Sequence, residues 1–277
     1  MSMLPFLLIT TRDDHGVAEQ EYAGYCRLTG LLPEELHWQR VDQYPLAPVN
    51  LRDYSGILLA GSPYTVSEPS ELKSTTELRV ERELAGLLDE VITSDFPFLG
   101  ICYGVGTIGS HQGARVDRTF GESAQSTTVS LTDMGGLDPL FRELPATFEA
   151  FVGHKEAISE VPSHIAVLAS SPACPVQAFR VGANVYATQF HPELDSEAFA
   201  NRVRVYSRHG YFDPSETEQI VARISAADVR ASHMVLARFI EEYASSSPHV
   251  VRSARAPSLG GRVAGGDSPG GKNKLPA

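Results

Sequence analysis

Three short, almost wholly apolar segments constrain the fold of this chain most. They are Phe6–Thr11, Tyr54–Gly61 and Phe96–Cys102, and each has the length and residue content of a buried β-strand. Between the last two, Thr76–Thr93 spaces leucine, valine and isoleucine among charged residues, which predicts an amphipathic helix. Strands that are apolar on both faces and alternate with helices are typical of a parallel sheet covered on both sides. The first part of the chain is therefore predicted to be α/β.

The chain after Gly113 has a different pattern. Several β-like runs follow one another as far as Phe190, which predicts antiparallel additions to the sheet. Three helical segments are then expected to close the fold: Ser196–Ser207, Ser215–Ile224 and Asp228–Ser245. Residues 246–277 are rich in Gly, Ser, Pro and basic residues and have no apolar face, so a disordered tail is expected, with a basic docking arm as the alternative. We thus expect one domain over residues 1–245.

Composition excludes several classes of protein. The 277 residues, 42% of them hydrophobic, suffice for one sizeable core, and the net charge of −11 argues against a nucleic-acid-binding surface. The three cysteines are odd in number and widely spaced, which predicts neither disulfides nor a metal site, and Cys26 and Cys174 are interpreted as incidental. No segment has the roughly 20 apolar residues of a membrane helix, and the start lacks the basic region of a signal peptide. A cytoplasmic protein without cofactors is expected.

The third apolar segment ends in Leu99-Gly-Ile-Cys-Tyr-Gly104, a candidate nucleophile turn. A sharp turn from strand to helix holds its central residue, here Cys102, in a strained conformation at the edge of the sheet. The neighbouring glycines allow the strand and helix to approach, and the helix N-terminus favours the reactive thiolate. The alternative is a buried structural cysteine, because free cysteine is among the most buried residue types.

A second motif, Phe190-His-Pro-Glu193, supplies a possible proton shuttle. An apolar run ends at His191, and a strand end of this kind can present an imidazole at the same edge as the turn. Glu193 could accept a hydrogen bond from the other ring nitrogen and so fix the tautomer. Alternatively, His191 is a loop histidine and Glu193 a solvated charge.

Together the two motifs resemble the class I glutamine amidotransferases, and the resemblance covers roughly Phe6 to Tyr243. It implies a flavodoxin-like, mostly parallel sheet with helices on both faces and a few antiparallel additions. It also implies that Cys102 is the nucleophile, His191 the general base and acid, and Glu193 the residue that orients it.

The same resemblance extends to the rest of the site. Leu58–Pro63 resembles the oxyanion loop of the family, so the backbone N–H groups of Ser62 and Tyr103 would hold the oxyanion, with Gly61 and Gly104 beside the substrate. His154, in Phe151–Glu156, resembles a histidine of the GMP synthase branch that lines the site or faces a partner. A plain turn at Gly61 and a strand-end histidine at position 154 remain the alternatives.

One position departs from the family pattern. The family usually continues Gly-x-Cys-x-Gly-(His or Met)-Gln, whereas this chain has Val105 and Gly106. The resemblance implies a glutaminase that releases ammonia from glutamine through a γ-glutamyl thioester, for an acceptor synthase on another chain. Because Gly106 replaces a residue that shapes the substrate site, a γ-glutamyl hydrolase or peptidase with the same triad and a non-catalytic binding module stay open. A further alternative is a thiol enzyme or chaperone of the peptidase-like relatives, and the His191-Pro-Glu193 unit argues against it.

Overall fold

A computed structural model describes residues 3–207 and 213–247. The expected tail therefore lies outside the described residues except at Ser246 and Ser247, and its disorder stays a prediction. The strands are β1 (Phe6–Thr10), β2 (Leu36–Arg40), β3 (Gly56–Leu59), β4 (Phe98–Ile101), β5 (Arg115–Asp117), β6 (Glu122–Leu131), β7 (Thr147–His154), β8 (Ala157–Glu160), β9 (Ile165–Ser170), β10 (Ala178–Val181) and β11 (Val185–Thr188). The helices are α1 (His15–Thr29), α2 (Thr75–Ser94), α3 (Tyr103–His111), α4 (Ser196–Val205), α5 (Thr217–Ala226) and α6 (Arg230–Tyr243).

Nine strands form the main sheet, in the order β2-β1-β3-β4-β11-β10-β9-β6-β7. The first five pair in parallel and the remaining four are antiparallel. The parallel part runs 2-1-3-4-5 when its strands are counted along the chain, which is the flavodoxin-like order. The predicted α/β class, with a mostly parallel sheet and antiparallel additions, is confirmed.

Alternate residues of the apolar strands pack on opposite faces of the sheet. In β1, Phe6 and Leu8 belong to a core shared with Phe239 of α6. Leu7 and Ile9 belong to a second core that contains Leu84 and other residues of α2. Because both faces are covered, β1 has no polar alternation, and its five residues are all buried.

The amphipathic pattern at Thr76–Thr93 corresponds to α2. The N-cap of this helix is Ser74, whose hydroxyl accepts a hydrogen bond from the N–H of Glu77.

The small second sheet formed by β5 and β8 was not predicted from the sequence. In this sheet the two strands pair antiparallel, with Val116 of β5 opposite Ile158 of β8. No helix in the described part of the chain is long and apolar enough to span a bilayer.

Candidate active site

The parallel strands bring four polar or reactive segments to one edge of the sheet. Arg12 follows β1, Gly61 follows β3, Cys102 follows β4 directly, and His191 lies three residues beyond β11. All four lie at the carboxyl ends of strands, where ligands bind in open sheets of this kind. The register explains the meeting of the last two, because β4 and β11 are neighbours and the Cys102 N–H donates to the carbonyl of Thr188 at 2.7 Å.

Cys102 occupies a strained turn between β4 and α3. Its backbone has φ 52° and ψ −84°, a conformation that residues other than glycine rarely adopt. Such strain costs about 1–3 kcal/mol and is typical of functional sites. The turn also needs glycine at position 100, because a Cβ there would lie 2.8 Å from the Cα of Gly104. Cys102 is half-buried, and α3 begins at the next residue.

His191 and Glu193 form a buried pair beside this turn. The Nδ1 of His191 lies 2.6 Å from Oε1 of Glu193, and both residues are nearly inaccessible. Burial lowers the pKa of His191, but the charges of Glu193 and Cys102 outweigh this effect and raise the pKa to about 9. Burial conversely raises the pKa of Glu193, and the imidazole outweighs it, giving about 2. The carboxylate therefore stabilises the imidazolium form of His191.

Four buried charged groups form a chain that begins at Glu193. Arg202 of α4 donates to Oε1 of Glu193 at 3.3 Å and to Oε1 of Glu21 at 2.8 Å. The same oxygen of Glu21, on α1, also accepts from Nε of Arg12 at 3.2 Å. Two carboxylates and two guanidinium groups thus compensate one another, which reduces the cost of burying them.

A cleft of about 440 Å³ that opens to solvent lies over the thiol and the imidazole. It combines cationic, apolar and backbone surfaces, and its lining residues are Arg12, Ser62, Cys102, Ala124, Gly153, His191, Phe199, Arg202, Val203 and Tyr206. The carboxamide of Gln189, 1% exposed, also reaches the cysteine, with Nε2 3.8 Å from Sγ. A small molecule with an electrophilic carbon can therefore reach Cys102 from this cleft.

The segment after β3 lies directly against the cysteine and histidine. A Cβ on Gly61 would be 2.9 Å from Cε1 of His191 and 3.5 Å from Cβ of Cys102, so only glycine fits this position. Ser62 follows it on the wall of the cleft, and its hydroxyl accepts the N–H of Tyr64 at 3.0 Å. Tyr103 begins α3 at the other side of the thiol. The two expected oxyanion donors thus belong to two separate elements that meet at Cys102.

Gly104 and His154 lie behind the cleft and do not line it. Gly104 packs against β4 through Gly100, whereas the β7 residue that lines the cleft is Gly153. His154 is 4% exposed; its Nδ1 faces the carbonyl of Glu156 at 2.9 Å and its Nε2 faces Oε2 of Glu122 at 3.1 Å. These placements favour a supporting role for both residues.

Cys174 joins His154 and Glu122 in a buried cluster whose ligand-type atoms lie within 4.8 Å of one another. A metal could in principle use such donors, but both ring nitrogens of His154 already face oxygen acceptors. Gln177 adds a 2.6 Å hydrogen bond from Nε2 to Glu122. Burial raises the pKa of the Cys174 thiol to about 12, so this thiol stays protonated. The geometry is that of a hydrogen-bonded structural cluster.

Sequence reasoning missed four residues at the site: Arg12, Glu21, Gln189 and Arg202. Arg12 carried a usable signal, because it follows the first buried strand at the functional edge. Gln189 stands two residues before His191, at the end of the same apolar run. Glu21 and Arg202 carried no signal that periodicity could reveal, since they lie in ordinary amphipathic helices and meet only through packing of α1 on α4.

Comparison with known proteins gives the family. A model of the family described as "Glutamine amidotransferase class-I" matches residues 35–205, more than half of the chain. The chain is 26% identical over 155 residues to a glutamine-hydrolysing GMP synthase of Petrotoga mobilis, covering 54% of this chain and 27% of that protein. It is 29% identical over 192 residues to the enzyme of the same name from Neisseria meningitidis, covering 65% of this chain and 33% of that one. It thus spans a third or less of these relatives.

Solved structures share the fold. A glutamine amidotransferase from Thermotoga maritima aligns with a TM-score of 0.68 at 18% identity, over 87% of this chain and 98% of that one. A second, from Methylobacillus flagellatus, aligns with a TM-score of 0.65 at 16% identity, over 87% and 96%. At these identities the likeness shows the fold alone, whereas the family match extends across the cysteine turn and the histidine motif. The chain belongs to the class I glutamine amidotransferase family.

Proposed function

We propose that the protein hydrolyses the side-chain amide of glutamine with Cys102 as nucleophile, His191 as proton shuttle and Glu193 as the group that orients the imidazole. The observation that carries this proposal is the turn itself. A cysteine with φ 52° stands at the N-terminus of α3, on the wall of an open cleft, beside an imidazole whose Nδ1 contacts a buried carboxylate at 2.6 Å. Nucleophile, base and orienting group in this order are the arrangement that activates a thiol for acyl transfer.

The proposed reaction has two stages. The thiolate of Cys102 attacks the carboxamide carbon of glutamine, and the N–H groups of Ser62 and Tyr103 stabilise the oxyanion that forms. His191 gives a proton to the departing nitrogen, the C–N bond breaks, and ammonia leaves a γ-glutamyl thioester on the sulfur. Water then attacks the thioester while His191 accepts a proton, and the C–S bond breaks to release glutamate.

The acceptor of the ammonia is proposed to lie on another chain. The curated relatives named above are glutamine-hydrolysing GMP synthases, and this chain matches a third or less of their length. A separate synthase subunit of this kind would take up the ammonia released at the cleft. Addition of the correct synthase is expected to raise the rate of glutamine hydrolysis.

The test is ammonia release from glutamine by the purified chain, compared with the Cys102→Ser and Cys174→Ser variants. We expect wild type and Cys174→Ser to release ammonia and Cys102→Ser to lose at least about 10³-fold in rate, because the triad acts as a unit. A γ-glutamyl peptide assayed in parallel separates the two amide substrates. Hydrolysis of the peptide with no hydrolysis of glutamine would replace the glutaminase proposal by a γ-glutamyl hydrolase. Equal rates for wild type and Cys102→Ser would refute both.

A further inference from the structure

The position at which this chain departs from the family pattern is occupied by a side chain from elsewhere. A Cβ on Gly106 would lie 2.9 Å from Oε1 of Glu156 and 3.1 Å from Cγ2 of Val66. The volume in which a glutamine side chain would begin therefore already contains the carboxylate of Glu156. Gly106 and Glu156 are thus sterically coupled, because the missing side chain at Gly106 opens a space that the carboxylate of Glu156 fills.

The carboxylate of Glu156 is fully engaged with the backbone of one loop. Its Oε1 accepts the N–H of Val66 at 2.8 Å, and its Oε2 accepts the N–H of Ser67 at 2.8 Å. Glu156 is only 8% exposed, so these hydrogen bonds form where water competes weakly. Hydrogen bonds from N–H groups to a carboxylate are shorter and stronger than bonds between neutral groups.

The loop that Glu156 holds is the one that begins with the proposed oxyanion donor. Residues 61–67 run from Gly61 and Ser62 at the thiol to Val66 and Ser67 at the carboxylate. Lys73 also contacts this end of the loop, because its Nζ donates to the carbonyl of Val66 at 2.9 Å. Gly106 lies on α3, one turn after Tyr103, which carries the other proposed donor. Glu156 therefore stands at the junction of the two elements that together make the oxyanion site.

Two backbone donors on different elements stabilise an oxyanion only if their relative position is fixed, and a displacement of about 1 Å can cost about 10²-fold in rate. We propose that Glu156 is a positioning residue that fixes the loop carrying Ser62 against the helix carrying Tyr103, in the space opened by Gly106. This inference rests on the proposed function for its catalytic consequence, but the anchoring of the loop is independent of it.

The first experiment measures the anchor without any substrate. Hydrogen exchange of the backbone amides of Val66 and Ser67 is compared between wild type and Glu156→Gln, which keeps the size but replaces one acceptor by a donor. We expect exchange at these amides to be at least tenfold faster in the variant. Glu149→Gln is the matched control, because Glu149 also accepts a backbone N–H, that of Asp228, at the other end of β7. Unchanged exchange in Glu156→Gln would overturn the proposal.

The second experiment uses a double-mutant cycle on glutamine hydrolysis. Gly106→Ala and Glu156→Ala should each lower kcat by about tenfold or more while KM changes less than about twofold, because the oxyanion forms only after substrate binds. In the Glu156→Ala background the closest contact of the added Cβ is gone and only Val66 still crowds it, so adding Gly106→Ala should cause a smaller further loss than it does in wild type. Additive losses, or a rise in KM with unchanged kcat, would overturn the positioning role. If wild type hydrolyses no glutamine, the proposed function fails, and the exchange rates alone decide whether Glu156 anchors the loop.

Discussion

The molecule contains two sets of the same three residue types, and they can be compared directly. The edge set is Cys102, His191 and Glu193, and the interior set is Cys174, His154 and Glu122. Burial of the histidine and the glutamate does not distinguish them, because those residues are at most 6% exposed in both sets. The difference lies at the cysteine. Cys102 adopts a positive φ at the start of a helix and lines a cleft, whereas Cys174 is 0% exposed and donates to the carbonyl of Val176.

Residue types alone therefore do not make a nucleophile in this protein. The edge set has access to solvent through the cleft and a charge network behind it, through Arg202 and Glu21. In the interior set, Oε2 of Glu122 faces Nε2 of His154 and accepts from Gln177, and no residue of this set lines the cleft. We expect the edge set to determine the rate of hydrolysis and the interior set to determine the free energy of unfolding. Equivalent substitutions made in each set test this division.

The largest effect is expected on the rate of hydrolysis. His191→Ala should lower kcat for glutamine by about 10³-fold or more, because it removes the group proposed to move protons to and from the reacting atoms. His154→Ala should lower the rate by less than tenfold once it is normalised to the folded fraction. Steady-state ammonia release measures both variants. Comparable losses in the two variants would show that the interior set takes part in chemistry.

The next effect is on stability. His154→Ala should lower the free energy of unfolding by about 3–5 kcal/mol, because it leaves the buried carboxylate of Glu122 without its imidazole partner. His164→Ala is the control, since His164 is exposed and a substitution there should stay within about 0.5 kcal/mol. Urea unfolding followed by circular dichroism compares them. Wild-type stability in His154→Ala would remove the structural role assigned to the interior set.

A third prediction concerns the titration of His191, followed by NMR of the imidazole. The pKa values of about 9 for His191 and about 2 for Glu193 mean that the ionised pair stabilises the fold fully between about pH 4.5 and pH 6.5. This contribution is lost as pH rises through about 9 and as pH falls through about 2. Glu193→Gln removes the negative charge that offsets the effect of burial on the imidazole, so the pKa of His191 should fall by more than about one unit. Glu122→Gln should leave the titration unchanged. A shift with Glu122→Gln and none with Glu193→Gln would reverse the assignment.

The smallest effect is expected on stability when either cysteine is replaced by glycine. Cys102→Gly relieves the strain of the positive φ at this position, which stabilises the folded state. The greater freedom that glycine gives the unfolded chain partly offsets this effect, so we expect a net stabilisation of about 1 kcal/mol or less. Cys174→Gly loses buried contacts without relieving strain and should destabilise. Thermal unfolding of both variants measures the difference. A clear destabilisation in Cys102→Gly would argue against stored backbone strain at the turn.

The features that were predictable from sequence are those encoded locally. The apolar strands, the helix α2 and the two motifs around Cys102 and His191 each lie within a short segment, and the order of the parallel strands brings those motifs to one edge. The contribution of Glu156 was not predictable, because it depends on a contact with Val66, ninety residues away in sequence. The pairing of Glu21 with Arg202 spans 181 residues and follows only from helix packing.

The central claim is that Cys102, and not Cys174, is the nucleophile. An electrophilic glutamine analogue, followed by intact-mass and peptide-mapping mass spectrometry of the folded protein, tests it most directly. The account predicts one adduct, on Cys102, whose formation glutamine slows and Glu193→Gln weakens. An adduct on Cys174, or no adduct on a protein that hydrolyses glutamine, would contradict it.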